Sequence, residues 1–268
     1  MIIQSIELNN FRNYENLQIS FDEGTNIFYG DNAQGKTNIL EAIYLSGTTK
    51  SHKGSKDKEM IRFGTNEAHL RTMVLKNGKQ YQIDMHLKHN RSKGIAVNKI
   101  PMKKASELFG ILNIVFFSPE DLNIIKNGPA ERRRFLDSEI CQLSRIYMIE
   151  LANYNKVVAQ RNKLLKEISF SGRMADTLEI WDEQMVRYGT SIISERKKFI
   201  SRLNDILSEI HQNLTGGKEQ ILITYEPNVS EEAFSEELKA GRERDLRFGQ
   251  SYTGPHRDDF CVRVNDID

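Results

Sequence analysis

Gly30-Asp31-Asn32-Ala33-Gln34-Gly35-Lys36-Thr37 fits the pattern G-x-x-x-x-G-K-[ST], and what flanks it decides the fold. Triphosphate oxygens need converging N–H donors, close backbone approach and one mobile cation. Gly30 and Gly35 allow a tight turn with no Cβ in the way, so successive amides from Asp31 to Gln34 can form an anion-binding nest. Lys36 can reach the β- and γ-phosphates, and the Thr37 hydroxyl is placed to ligate Mg²⁺. The helix starting near Lys36 adds its positive N-terminal end. Upstream, Thr25-Asn-Ile-Phe-Tyr is a short apolar strand running into Gly30. Downstream, Ile39, Ala42 and Ile43 recur at helical spacing. Strand, loop and helix in that order are the context a phosphate-binding loop requires, with a triphosphate and Mg²⁺ as its ligands.

At 268 residues the chain is long enough for one large domain or two lobes. A hydrophobic fraction of 38% beside 28% charged residues fits a soluble globular protein, and no apolar run approaches the roughly 20 residues of a membrane helix. Met1 to Leu8 lacks a basic segment followed by a long apolar one, so a cytoplasmic chain without a signal peptide is expected. Cys141 and Cys261 have no metal-ligand spacing and read as reduced thiols. A net charge of +1 excludes no partner, so the distribution of charge says more than its sum.

The opening reads as sheet: Ile2 to Leu8, Leu17 to Phe21 and Asn26 to Tyr29, with Asn10-Phe-Arg-Asn-Tyr as the first connection. A lysine-rich loop follows the first helix, from Thr48 to Lys58. Asn77-Gly78 between the alternating runs Ala68 to Leu75 and Gln80 to Leu87 predicts a hairpin. Gly94 to Ile100 offers another strand, and Ile111 to Phe117 reads as a fully buried one. Beyond Pro129 the texture becomes helical, from Ala130 to Ile168 and from Met174 to His211, with Ser169-Phe-Ser-Gly-Arg as the link. Aromatic and methionine positions there, such as Phe135, Trp181, Met185 and Tyr188, read as core and not as a cofactor box. Gly216-Gly217 turns the chain into a strand from Gln220 to Tyr225. A charged helix, Glu231 to Leu238, then precedes a last strand, Phe260 to Val264. The expected division is a sheet lobe over 1–128, a helical lobe over 129–245 and a return segment over 246–268.

P-loop hydrolases place an acidic residue after a second apolar strand. Glu120 and Asp121 occupy such a position, yet Ser118-Pro119-Glu120-Asp121 also has the order of N-cap, first helical residue and acidic first turn. Helix start is the better reading. His256-Arg257-Asp258 lacks the other kinase motifs, and no second histidine or cysteine is placed to complete a metal site beside Asp258 and Asp259. Two basic regions could neutralise phosphates: Arg71 to Lys104, including Lys88, Arg91 and Lys93, and Arg132-Arg133-Arg134. A solvated face is the alternative for each. No aromatic-interleaved base-reading module is present, so DNA binding would be nearly blind to sequence.

Five segments together resemble the RecF family of bacterial DNA-repair ATPases, relatives of the SMC proteins. They are Leu8-Asn-Asn-Phe-Arg-Asn-Tyr, Gly30 to Ala42, Phe116-Phe-Ser-Pro-Glu-Asp-Leu, Gly128-Pro-Ala-Glu-Arg-Arg-Arg-Phe-Leu-Asp and Tyr252-Thr-Gly-Pro-His-Arg-Asp-Asp. The last three, in this order, are the more specific. The resemblance implies an α/β fold: a P-loop ABC-type ATPase head, with a mixed sheet lobe carrying the loop and a largely helical second lobe. It implies ATP and Mg²⁺ at residues 30–37, with Arg12 and Asn13 in a nucleotide-contacting segment. It also implies an ATP-dependent homodimer on DNA junctions or gaps, weak hydrolysis, and action with RecR and RecO. A RecF-like head continues with a signature segment and a strand ending in paired acids, and the chain ends at Asp268 before both. It is therefore expected to be C-terminally truncated, to expose an unpaired sheet edge, and to bind ATP without hydrolysing it. The competing readings are a non-hydrolysing nucleotide-gated module and another SMC-like head. The stretch 130–211 is short for the heptads of the latter.

Overall fold

Strand alternation buries Ile6 and Leu8 of β1 (Ile2–Phe11) and leaves Glu7 and Asn9 outward, and the same period runs through the neighbouring strands. These are β2 (Tyr14–Ser20), β3 (Glu67–Lys76), β4 (Lys79–Lys88), β5 (Arg91–Val97) and the short β6 (Ile100–Pro101). They form one sheet in the order β2-β1-β3-β4-β5-β6, antiparallel at every pairing. The computed structural model describes residues 1–171 and 177–265, without the side chains at 105, 106, 120, 170 and 171. Two compact units emerge, Met1–Phe117 and Ser118–Asp268. The division falls earlier than the expected one at 128, and the return segment folds with the helical unit instead of standing apart.

In the first unit the expected hairpin forms with Lys76 paired to Lys79. Asn77 and Gly78 take φ of 50° and 73°, the left-handed pair that a tight two-residue turn requires. Helix α1 (Lys36–Thr48) lays Ala42 and Leu45 into the sheet's core beside Leu70, Val74, Ile83 and Met85. Buried Ser46 Oγ, 2.7 Å from Thr72 Oγ1, fixes the helix to β3.

Two expected strands do not form among the described residues. Residues 25–29 join no ladder; Ile27 and Tyr29 are 78% and 92% exposed, while Phe28 packs edge-on to Phe21. Residues 111–117 also lack a ladder, although 112–117 keep a two-residue alternation. Ile114 lies over Gly47 of α1, where a Cβ would come within 2.6 Å of it, and Phe116 packs on Tyr44 and His52. Val115 and Phe117 point away, 90% and 77% exposed. The run is therefore covered on one face, where its apolar composition predicted cover on both. A ladder needs a neighbour's N–H and C=O groups, and neither segment meets one among the described residues.

The second unit is mainly helical. Ser118 opens it: Asp121 N–H bonds to its C=O at 3.0 Å, and its own N–H donates to Asp121 Oδ2 at 2.5 Å. A short 3-10 helix over Pro119–Leu122 starts where the helix-start reading puts it. Asp121 in its first turn accepts from the Ser118 N–H, whereas that reading made Ser118 the cap; the Glu120 side chain lies outside the described residues. After α2 (Asn123–Lys126), the long stretch expected from Ala130 is split into α3 (Pro129–Leu143) and α4 (Arg145–Ser171). Ser144 divides them: its extended backbone ends α3, and its Oγ accepts the Tyr147 N–H at 3.1 Å to cap α4. Helix α5 (Leu178–Thr215) packs along α4 and ends at Gly216 with φ 62°. Residues 169–171 of the expected link instead continue α4, while 172–173 and the start expected at Met174 lie outside the described residues. Then come β7 (Ile221–Glu226), α6 (Phe234–Ala240), α7 (Arg242–Phe248) and β8 (Asp259–Val264), with β7 and β8 antiparallel. The charged helix thus starts three residues later than its charge pattern suggested, at buried Phe234.

The segment 253–259 ties this unit together. Buried Arg196 donates to Pro255 O (2.7 Å), Asp258 Oδ2 (2.9 Å), Asp137 Oδ1 (2.7 Å) and Tyr147 Oη (3.0 Å). Asp258 accepts in addition the Asn228 N–H at 2.8 Å and the Tyr225 hydroxyl. Next to it, His256 Nε2 lies 3.0 Å from Ser251 O, and Nδ1 lies 2.7 Å from Tyr154 Oη. A carbonyl only accepts, so Nε2 carries the proton and Nδ1 accepts from the tyrosine. Burial first, opposed by the Ser251 bond and aided by the Arg257 charge, pushes the His256 pKa down to about 4. Above about pH 6.5 both folded and unfolded chains hold this imidazole neutral. As pH falls towards 4 the unfolded chain takes up a proton that the folded one refuses, and folding loses about 3 kcal/mol. Urea midpoints measured between pH 7 and 4 should fall less steeply in His256→Gln than in the wild type. Parallel curves would show that His256 titrates normally.

Candidate nucleotide-binding site

Gly30, Ala33 and Gly35 take φ of 137°, 65° and 100°, positive values of the kind from which an anion-binding nest of amides can be built. Gly35 is the N-cap of α1, its carbonyl accepting the Asn38 and Ile39 N–H groups at 2.8 and 3.3 Å. The amides of Lys36 and Thr37 precede the first intrahelical bond and point out along the axis. Lys36 Nζ folds back over the loop to Gly30 O at 2.7 Å and Asp31 O at 2.6 Å. Two of its three donors hold the loop, and the third is left for a phosphate oxygen.

Three side chains brace the loop from outside. Asn13 Nδ2 donates to Gln34 O at 3.2 Å, Asn38 Nδ2 donates to Asn13 Oδ1 at 2.8 Å, and Tyr14 Oη lies 3.4 Å from Gln34 O. A Cβ at Gly35 would meet Asn13 Oδ1 at 2.6 Å and Tyr14 Oη at 2.7 Å. The free amides at the head of α1, one ammonium and a turn held clear of a Cβ fit a triphosphate. Exposed Thr37, in the first turn of α1, can offer its hydroxyl to a phosphate-bound cation.

Asn13 thus touches the loop at Gln34 O, while its neighbour Arg12 bonds to α1 and to residues 55 and 59. Arg12 donates to both Glu41 carboxylate oxygens (2.7 and 2.6 Å), to Ser55 Oγ (2.7 Å) and to Glu59 O (2.7 Å). Burial alone would raise the Glu41 pKa; hydrogen bonds from Arg12 and Ser51 outweigh it and hold the carboxyl below its usual value. Arg12 thus anchors α1 from beneath.

The basic residues divide likewise. Arg91 is exposed, Lys88 lies 3.7 Å from Glu67, and Lys93 is committed to Thr49 O (2.6 Å) and Asp57 (2.7 Å). Arg132 makes a two-bond fork to Asp259 at 2.6 and 2.8 Å, and Arg133 donates to Asp258 O at 2.7 Å. Burial, then the nearby Arg196, lower the Arg133 pKa. Arg134 is largely exposed and pairs with Glu131. Sequence reasoning missed Tyr14, Asn38 and Glu41. The first two adjoin Asn13 and Thr37, which was the available signal; nothing local marks a buried acid in α1.

A glycine-framed loop at the head of a helix, packed on an antiparallel sheet, defines a P-loop ATPase domain, and residues 5–240 match the AAA domain family. The chain is 62% identical to the DNA replication and repair protein RecF of Agathobacter rectalis, over 100% of this chain and 74% of that protein. Against the protein of the same name from Lachnoclostridium phytofermentans it is 53% identical with the same coverage. The solved structure of the recombination mediator protein RecF with ATP in the RecFOR pathway superposes at a TM-score of 0.94 and 35% identity, covering 100% of this chain and 74% of that one. The chain belongs to the RecF family. A Pyrococcus furiosus Smc head domain, 17% identical at a TM-score of 0.50 over 99% of this chain and 72% of that one, shares the fold alone. Among the described residues, no helix is long and apolar enough to cross a membrane.

Proposed function

We propose that the chain binds ATP with Mg²⁺ in the loop at residues 30–37 and serves as an ATP-dependent DNA-binding protein of replication and recombinational repair. The observation that carries this reading is the cradle made by Gly35, Lys36 and Asn13. Amides at the head of α1 receive the phosphates, the free donor of Lys36 bridges the β- and γ-groups, and Thr37 supplies one cation ligand. In this reading the chain acts in the cytoplasm as an ATP-dependent homodimer at junctions or gaps in DNA, together with RecR and RecO; its membership of a family named for DNA replication and repair supports that setting. Exposed Arg91 and Arg134 would meet phosphates directly, together with Lys88. Lys93, Arg132 and Arg133 would shape those surfaces from within.

A fluorescent ATP analogue should bind saturably and be displaced by ATP; signal that ATP does not displace overturns the nucleotide reading. DNA affinity should fall with salt, log against log, by roughly 0.9 per phosphate neutralised, and should ignore sequence scrambling. Arg91→Glu combined with Arg134→Glu should weaken binding and flatten that slope. A double variant that binds as wild type would reduce both residues to solvated faces.

A further inference from the structure

The outer face of the β3–β4 hairpin carries three polar rungs: Glu67 opposite Lys88, His69 opposite His86, and Arg71 opposite Asp84. The third is settled, with Arg71 Nε 2.7 Å from Asp84 Oδ1 and Glu7 of β1 at 3.5 Å. The first two do not balance, because two imidazoles and a carboxylate face a single lysine. His86 Nε2 lies 3.0 Å from Glu67 Oε2, and His69 Nε2 lies 4.0 Å from Glu67 Oε1. One donor atom from each of the three residues falls within 4.8 Å of the others.

Those separations bracket what a small cation asks for. Zinc-class ions hold imidazole nitrogen and carboxylate oxygen at about 2.0–2.2 Å, which puts tetrahedral ligand pairs about 3.3 Å apart. The two imidazole rings stack at 3.8 Å with 26° between their planes, so rotation about Cβ–Cγ must turn their lone pairs inward. All three side chains are solvent-accessible, and the ladder already holds them side by side. The sheet, not the ion, bears the entropy of bringing them together. On the β5 side His86 faces Gly94, which has no side chain to cover the imidazole. A cavity of about 430 Å³ opens there, lined in part by His69, His86, Gly94 and Pro101. It leaves room for water to complete a coordination shell.

We propose that Glu67, His69 and His86 form a binding site for a divalent transition-metal ion of the zinc class. Two imidazoles and one carboxylate are a donor set such ions accept, whereas Mg²⁺ prefers oxygen alone. The site is thereby chemically distinct from any cation accompanying a nucleotide at Thr37. Lys88 opposes it: Nζ lies 3.7 Å from Glu67 Oε2, competing for the carboxylate and repelling a cation. Removing that ammonium should strengthen the site.

Isothermal titration of the full chain with Zn²⁺, near neutral pH in a non-coordinating buffer, tests the assignment. One ion per chain should bind saturably and resist excess Mg²⁺. His69→Gln and His86→Gln should each weaken binding by roughly tenfold or more, with unchanged circular dichroism, and Lys88→Gln should tighten it. Zinc held by Cys141, Cys261 or other histidines would survive both histidine variants unchanged. That outcome, or no saturable binding in the wild type, overturns the proposal. Imidazole proton resonances of the unmodified chain give a reading that needs no variant: Zn²⁺ should displace those of two of the six histidines. Displacement of none, or of a different set, overturns the proposal equally.

Discussion

Lys36→Ala is expected to weaken ATP binding about a hundredfold while leaving the chain folded. The ammonium sits over the loop on Gly30 O and Asp31 O, which leaves one donor for the β- and γ-phosphates. A charge-assisted contact to phosphate is worth up to about 3 kcal/mol, or some two orders of magnitude in affinity. Little of the fold depends on it, since the buried face of α1 is built from Ile39, Ala42 and Leu45 instead. Lys36→Arg should restore only a fraction, because a flat guanidinium cannot replace a point charge that reaches two carbonyls and a phosphate. Equilibrium binding of the labelled analogue reads the effect, with thermal unfolding as the control. Wild-type affinity in a folded Lys36→Ala chain would remove this side chain from phosphate contact.

Gly254→Ala is expected to be the most damaging single methyl group in the second unit. Gly254 has φ 128° and ψ 177°, a region that side chains other than hydrogen scarcely enter. An added Cβ would strike Tyr154 Oη and approach Phe234 Cζ at 2.8 Å. Neither neighbour can yield: both rings are buried, and the tyrosine hydroxyl is bonded to His256. Backbone strain and overpacking, about 1–3 kcal/mol each, would together remove about 4 kcal/mol. That is a large part of the 5–15 kcal/mol typical of a folded domain. Urea denaturation should show a sharply lower midpoint at unchanged slope. A loss below about 1 kcal/mol would mean that the segment relaxes around the methyl group.

Features specified by local chemistry were legible in the sequence. Asn77-Gly78 fixes its turn because both residues accept positive φ, and Gly30 to Thr37 fixes the head of α1 for the same reason. The Ser118-Pro119 start could be read because caps and first turns involve neighbours only. Features that depend on distant partners could not be read. The apolar runs 25–29 and 111–117 announce burial but not which strand would flank them. Ser144 looks like any serine in a helical stretch until its Oγ caps the next helix. Arg132, Arg133 and Arg134 form a run in sequence, but a helix turns about 100° per residue, so they cannot share one face. Arg12 and Asn13 are adjacent, yet one goes beneath α1 and the other to the loop. The 253–259 segment could be matched as a motif, while its purpose depends on residues as far away as Asp137 and Tyr147.

The meeting of Arg196 with Asp137 and Asp258 bears on how this chain can change over generations. Removing either partner of a buried pair leaves an unanswered charge in a dry interior, at about 3–5 kcal/mol. Lineages that lose one member would be selected against before a compensating replacement arose. Neutral drift should therefore flow around these positions, accumulating on exposed helix faces while the ionic set is inherited whole. Apolar side chains of matching volume could serve the same interior, since such exchanges are tolerated elsewhere. Reaching them requires several coincident mutations across a fitness valley. The network would then persist through historical contingency, even if it were not the most stable solution available to the fold.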